Sequence, residues 1–260
     1  ADYALVPKMA ESVDAVEGLV HKLGDRSLKQ AKKELGELKA FAKSRGMTDE
    51  LMPWDTGYWA EQLRQDRFQM DSEAMRAYFP LSRVVSGLFE IIKRLYGITL
   101  VEETGDLWHK DAFYWRLLRE DGTEQGSVLL DLFAREGKRD GAWMDGCRSR
   151  YQTKQGVQNP VCFVVANFMP GVAGKEPLLS HQEVVTLFHE FGHALHHLLT
   201  EMPYPSIAGT HGVPWDAVEL PSQFFEHWAW HEETLPLISQ HIDTGETLPE
   251  DLLHALRESK

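Results

Sequence analysis

The chain has 260 residues, 43% of them hydrophobic, and a formal net charge of −13. That length buries one large or two small cores, and the acidic balance excludes a nucleic-acid binder, which needs a concentrated basic surface. No apolar run is long enough to cross a bilayer, and Cys147 and Cys162 give no disulfide framework, so no membrane partner and a cytoplasmic location are expected, with both thiols as small buried hydrophobes.

From Ala1 to about Gly97 the pattern is helical. Breaks are expected at Gly24-Asp25-Arg26-Ser27, at Ser44-Arg45-Gly46 and at Met52-Pro53-Trp54-Asp55-Thr56-Gly57. Trp54, Tyr58 and Trp59 are expected in a core. Lys29, Lys32, Lys33, Lys39 and Lys43, interleaved with Glu34 and Glu37, read as a solvated helix face. Residues 1–106 are therefore read as a helical scaffold. Strands are expected from Ala112 to Arg119, from Ser127 to Phe133 after an Asp121-Gly122 turn, and from Val161 to Phe168. The third strand is expected at the sheet edge, where it can pair with an extended peptide. The fold class is α+β, mainly α with a small antiparallel β-sheet beside a metal-binding helix.

That helix carries His189-Glu190-Phe191-Gly192-His193. Two histidines one turn apart share a helix face, so both imidazoles reach one Zn2+, and the intervening carboxylate is placed to take a proton from a water on the metal. Ser180 and Glu183 form a capping box, and Val184, Val185, Leu187, Phe188, Phe191, Leu195, Leu198 and Leu199 supply an apolar surface, predicting a buried helix from His181 to about Thr200. Pro203 and Pro205 stop it. A catalytic zinc site needs a third protein ligand. Glu219 is the candidate, because Trp215, Val218, Leu220, Phe224, Phe225, Trp228 and Trp230 make its segment too apolar for an exposed helix and its carboxylates need a cation or donors. Glu226, on nearly the same face, is the candidate to orient a ligand imidazole. His196, His197, His109 and Asp111 are expected in structural roles, and His211 lies on a Gly-flanked loop that can overhang a cleft.

The stretches His189-Glu190-Phe191-Gly192-His193-Ala194-Leu195-His196-His197 and Gly212-Val213-Pro214-Trp215-Asp216-Ala217-Val218-Glu219-Leu220-Pro221-Ser222-Gln223 resemble the thimet oligopeptidase family of zinc metallopeptidases, within it the bacterial oligopeptidase A branch. Tyr78-Phe79-Pro80-Leu81, Trp108-His109-Lys110-Asp111 and Leu130-Asp131-Leu132-Phe133-Ala134-Arg135 extend the resemblance upstream. It implies His189, His193 and Glu219 as zinc ligands, Glu190 as catalytic base, and short peptides as substrates of an endopeptidase with an enclosed channel. It also implies a downstream segment with a Gly-rich loop, His and Tyr that binds substrate. The chain ends before such a segment, so residues 107–260 are expected to form an incomplete zinc-binding catalytic region of an internal fragment, poorly active alone. A dipeptidyl carboxypeptidase of the same family and a metal-stabilised scaffold without chemistry are the alternatives.

Overall fold

The computed structural model describes residues 1–6, 8–68, 72–172 and 174–258. They form two compact units, Ala1–Ser72 with Pro249–Lys260, and Glu73–Leu248.

The first unit is helical. After the short α1 (Asp2–Leu5), α2 runs from Val13 to Ser44, and the Ser12 side chain caps its start by accepting from the Ala15 N–H at 3.1 Å. The expected break at Gly24–Ser27 does not occur. An exposed helical glycine costs only about 1 kcal/mol, and Ser27 turns its hydroxyl back to the Gly24 carbonyl at 3.2 Å without interrupting the helix. The chain does turn at Gly46, whose φ of 96° is a conformation that side-chain-bearing residues avoid. A 3-10 turn at Pro53–Asp55 leads into α3 (Thr56–Phe68). Helices α2 and α3 meet through Arg67–Glu37 at 2.7 Å and an edge-to-face contact of Phe41 with Trp59. Trp54 and Tyr58 are exposed rather than in a core, at 76% and 61%. On α2 only Ala42 is buried, while Leu19, Val20, Leu23, Leu28 and Leu35 are exposed.

The second unit holds the sheet. Following α4 (Ser72–Arg76), the strongly amphipathic α5 (Leu81–Tyr96) buries Leu81, Val84, Leu88, Ile91 and Ile92. Then come β1 (Thr99–Glu103), β2 (Ala112–Leu118), β3 (Glu124–Phe133), β4 (Trp143–Arg148), the small hairpin of β5 (Tyr151–Thr153) with β6 (Gly156–Gln158), and β7 (Val161–Phe168). The main sheet has the order β1-β2-β3-β7-β4. The α+β class holds, but the sheet is mixed rather than wholly antiparallel: β3 and β7 are parallel, because the excursion from 134 to 160 returns the chain to the end of the sheet where β3 began. The same excursion overturns the edge assignment of Val161–Phe168. That strand is internal, between β3 and β4, and β4 is the edge. Helix α6 (His181–Leu198) packs on β3, β7 and β4, followed by α7 (Leu220–Glu226) and α8 (Leu235–Ile238). Among the described residues, no helix is long and apolar enough to cross a membrane.

Candidate metal and catalytic site

Helix α6 starts at the capping box anticipated from Ser180 and Glu183, and Arg76 adds a 2.7 Å ion pair to Glu183. Val184, Val185, Leu187, Phe188, Phe191, Leu195 and Leu198 are buried, which fixes the rotation of the helix and leaves His189 and His193 on its half-buried side. Helix α7 approaches this side closely. A Cβ at Gly192 would lie 2.5 Å from Ser222 Cα and 2.7 Å from the Pro221 carbonyl, so only glycine permits the contact. Phe188 and Phe225 stack beside it with centroids 5.5 Å apart.

This crossing brings Glu219, the residue preceding α7, to the histidines. Its Oε2 lies 3.2 Å from His189 Nε2 and 3.0 Å from His193 Nε2. One ligand atom from each residue lies within 4.8 Å of the others. The second imidazole nitrogen of His189, Nδ1, is 2.7 Å from Glu226 Oε1. A carboxylate only accepts, so Nδ1 carries the proton toward Glu226, which leaves the Nε2 lone pair free for a cation placed between it and Glu219. Two nitrogens and a carboxylate oxygen facing one another at this distance can hold a cation between them. In a tetrahedral site with bonds of about 2.0–2.1 Å, ligand atoms lie about 3.3 Å apart, close to the two distances from Glu219 Oε2, so the donor set fits such an ion. Ser222, fully buried, donates to Glu219 Oε2 at 2.9 Å and holds the carboxylate in place.

Glu190, on the same helix, is 7% exposed. Burial raises its pKa, the neighbouring His189 charge opposes that rise, Glu219 adds to it, and the Met144 backbone N–H opposes it again. Met144 belongs to β4, the edge strand of the sheet. His197 ties the same elements together: it is fully buried, its Nε2 is 2.9 Å from the Arg148 carbonyl, and a Cβ at Gly146 would touch its ring at 3.1 Å. His196 is outside the three-residue cluster, and burial holds its pKa down. The His211 ring is 6.1 Å from that of His197. His109 Nδ1 accepts from the Asp111 N–H at 3.3 Å. Cys162 is buried, which pushes its thiol pKa up, but Cys147 is exposed on β4, against expectation. The apolar shell expected around Glu219 is also incomplete, since Trp215, Leu220 and Phe224 are 71%, 73% and 56% exposed.

Sequence reasoning missed Ser222 and the Met144 backbone. Ser222 was accessible in principle, because a hydroxyl three positions after a carboxylate in a helical turn can reach it. Met144 was not, since its role depends on which strand forms the edge.

The pattern of Peptidase family M3 matches residues 1–260. The chain is 47% identical over 259 residues to oligopeptidase A of Escherichia coli K12, covering 99% of this chain and 38% of that protein. It is 46% identical over 261 residues to oligopeptidase A of Haemophilus influenzae, covering 100% and 38%. Similarity extends to dipeptidyl carboxypeptidase of Escherichia coli K12, 32% identical over 259 residues with 99% and 38% covered. The chain thus spans about two fifths of the length of these relatives. With every residue from 1 to 260 matched by the family pattern, the chain belongs to peptidase family M3.

Proposed function

We propose that this chain carries the catalytic centre of a cytoplasmic zinc endopeptidase acting on short oligopeptides. The observation that carries the reading is the convergence of His189, His193 and Glu219 beside the buried carboxylate of Glu190. Zinc held by the three residues would supply Lewis-acid polarisation of a peptide carbonyl and would lower the pKa of a water to about 7. Glu226 fixes the His189 tautomer and Ser222 the Glu219 carboxylate, so neither ligand must reorganise on loading. Glu190 takes the proton of the attacking water at its carboxylate and returns it to the leaving amine, for which a raised pKa suits both halves of the transfer. The register of the substrate falls to β4, which pairs with β7 on one side and offers its other backbone edge to an extended peptide. Two free cysteines agree with a reducing compartment.

The test uses the full-length parent and a fluorogenic peptide, with zinc measured on the same samples. Glu190→Gln should keep zinc while turnover falls by about 10²–10⁴-fold; near-normal turnover with metal retained would transfer the base role elsewhere. His193→Ala should remove the metal. The 32% identical dipeptidyl carboxypeptidase keeps a second reading in play. Mass spectrometry separates the two, since internal fragments mark an endopeptidase and successive C-terminal dipeptides mark the alternative. A scaffold without chemistry would hold zinc and cleave nothing.

A further inference from the structure

The chain leaving β3 must pass the C-terminal end of β7 before it can form β4. At that point the β3–β7 ladder slips between Asp131 and Phe133. The Lys138 ammonium sits at this irregularity: Nζ lies 2.8 Å from the Asp131 and Phe133 carbonyls, 2.6 Å from the Ala166 carbonyl and 2.8 Å from Asp131 Oδ1. Both side chains are buried, with 6% and 7% exposure. Asp131 also receives Arg135 through both guanidinium nitrogens, at 2.6 and 2.7 Å, and the Trp108 indole N–H at 2.9 Å. One step on, Asn167 donates to the Arg139 and Gly141 carbonyls at 2.8 and 2.7 Å, and the Arg139 guanidinium lies over the Trp143 ring. The crossing is thus fastened at Lys138, Arg139 and Gly141, immediately before β4 begins at Trp143.

A buried ion pair is a poor source of stability, because desolvation offsets most of the attraction. Its worth lies in specificity of geometry, and here the geometry it fixes belongs to β4, which packs directly on α6: Gly146 lies against the His197 ring and the Arg148 carbonyl is 2.9 Å from His197 Nε2. We propose that Lys138, anchored by Asp131, is a positioning residue that sets the edge strand β4 against the catalytic carboxylate and thereby the register of an extended peptide. This rests on the peptidase reading above. Lys138 acts through β4 and touches none of the three presumed ligands, which lie on α6 and at the start of α7.

The experiment compares wild type, Lys138→Met and Asn167→Ala in the full-length, zinc-loaded parent. Zinc stoichiometry, KM and kcat on a long and a minimal peptide, and hydrogen exchange of the β4 and α6 amides are measured for each. Lys138→Met should leave zinc content unchanged, raise KM for the long peptide about tenfold while kcat on the minimal peptide stays within about twofold, and speed exchange at Trp143–Gly146 about tenfold without altering α6. Asn167→Ala leaves no buried charge unpaired and should show the same split at roughly threefold, so it decides the matter if Lys138→Met does not fold. An equal loss on both peptides accompanied by faster exchange throughout the unit would reduce Lys138 to a general brace and overturn the proposal, as would unchanged KM with unchanged β4 exchange. A zinc-loaded wild type that cleaves no peptide would defeat the peptidase reading instead, and exchange at β4 would still judge the positioning role.

Discussion

An imidazole offers a metal one lone pair, and which nitrogen offers it depends on where the proton is held. In His189 the proton is held on Nδ1 by Glu226 at 2.7 Å. Glu226→Gln should therefore weaken zinc binding by about 10–100-fold with the fold intact, measured by competition with a chelator. Asp131 shows the opposite use of a carboxylate. Burial opposes its ionisation, yet the hydrogen bonds from Arg135, Lys138 and Trp108 prevail and hold its pKa well below the ordinary range. A folded-state pKa below the unfolded one, about 3.9, gives stability that is fully present above that value and lost as pH falls through the folded pKa. Asp131→Asn should be less stable than wild type by about 3–5 kcal/mol near neutrality, because it leaves Lys138 buried without its counter-charge. The gap should narrow only below about pH 4, as urea unfolding across a pH series would register. At this scale His189, Glu190 and His193 were legible because five consecutive helical residues fix their own relative placement. Glu219 was singled out on an argument whose premise fails in part, since Leu220 and Phe224 beside it are exposed. What brings it to the histidines is the crossing of two helices, which no local pattern encodes.

That crossing depends on one missing methyl group. Gly192→Ala should force α7 away from α6, destabilising the unit by about 1–3 kcal/mol and lowering zinc affinity more than a comparable overpacking elsewhere, because Glu219 moves with α7. Calorimetry with and without chelator separates the two effects; a shift in melting alone, with metal affinity intact, would show that Glu219 is not carried by α7. Strand identity was legible where the pattern was strong, as in β2, β3 and β7. Strand order was not. The run Val161-Cys162-Phe163-Val164-Val165-Ala166 lacks alternation, the mark of a strand covered on both faces, and that signal already favoured an internal position. The actual edge, Trp143-Met144-Asp145-Gly146-Cys147-Arg148, carries a glycine and an aspartate and gives almost no strand signal of its own. In α2 the reverse error occurred, because one exposed glycine costs a long helix only about 1 kcal/mol and is a weak punctuator.

The two compact units are built differently. The sheet unit buries β3 and β7 almost completely, whereas α2 buries only Ala42 along its whole length. Local opening should follow that difference. Amides of α2 are expected to exchange orders of magnitude faster than those of β3 and β7, as peptide-resolved hydrogen exchange would reveal. Equal protection would mean that the exposed stripe of Leu19, Leu23 and Leu28 is covered in solution.

The parallel pairing of β3 with β7 also imposes a timetable on synthesis. β4 is complete at Arg148, yet the strand it must dock on is complete only at Phe168. At translation speeds of about 5–20 residues per second, β4 and the open side of β3 wait on the order of 1–4 s with unsatisfied backbone edges. The nascent chain therefore passes through a window in which it can pair with a neighbour on the same polysome, and a chaperone holding it between those two points would protect the strand proposed to register the peptide.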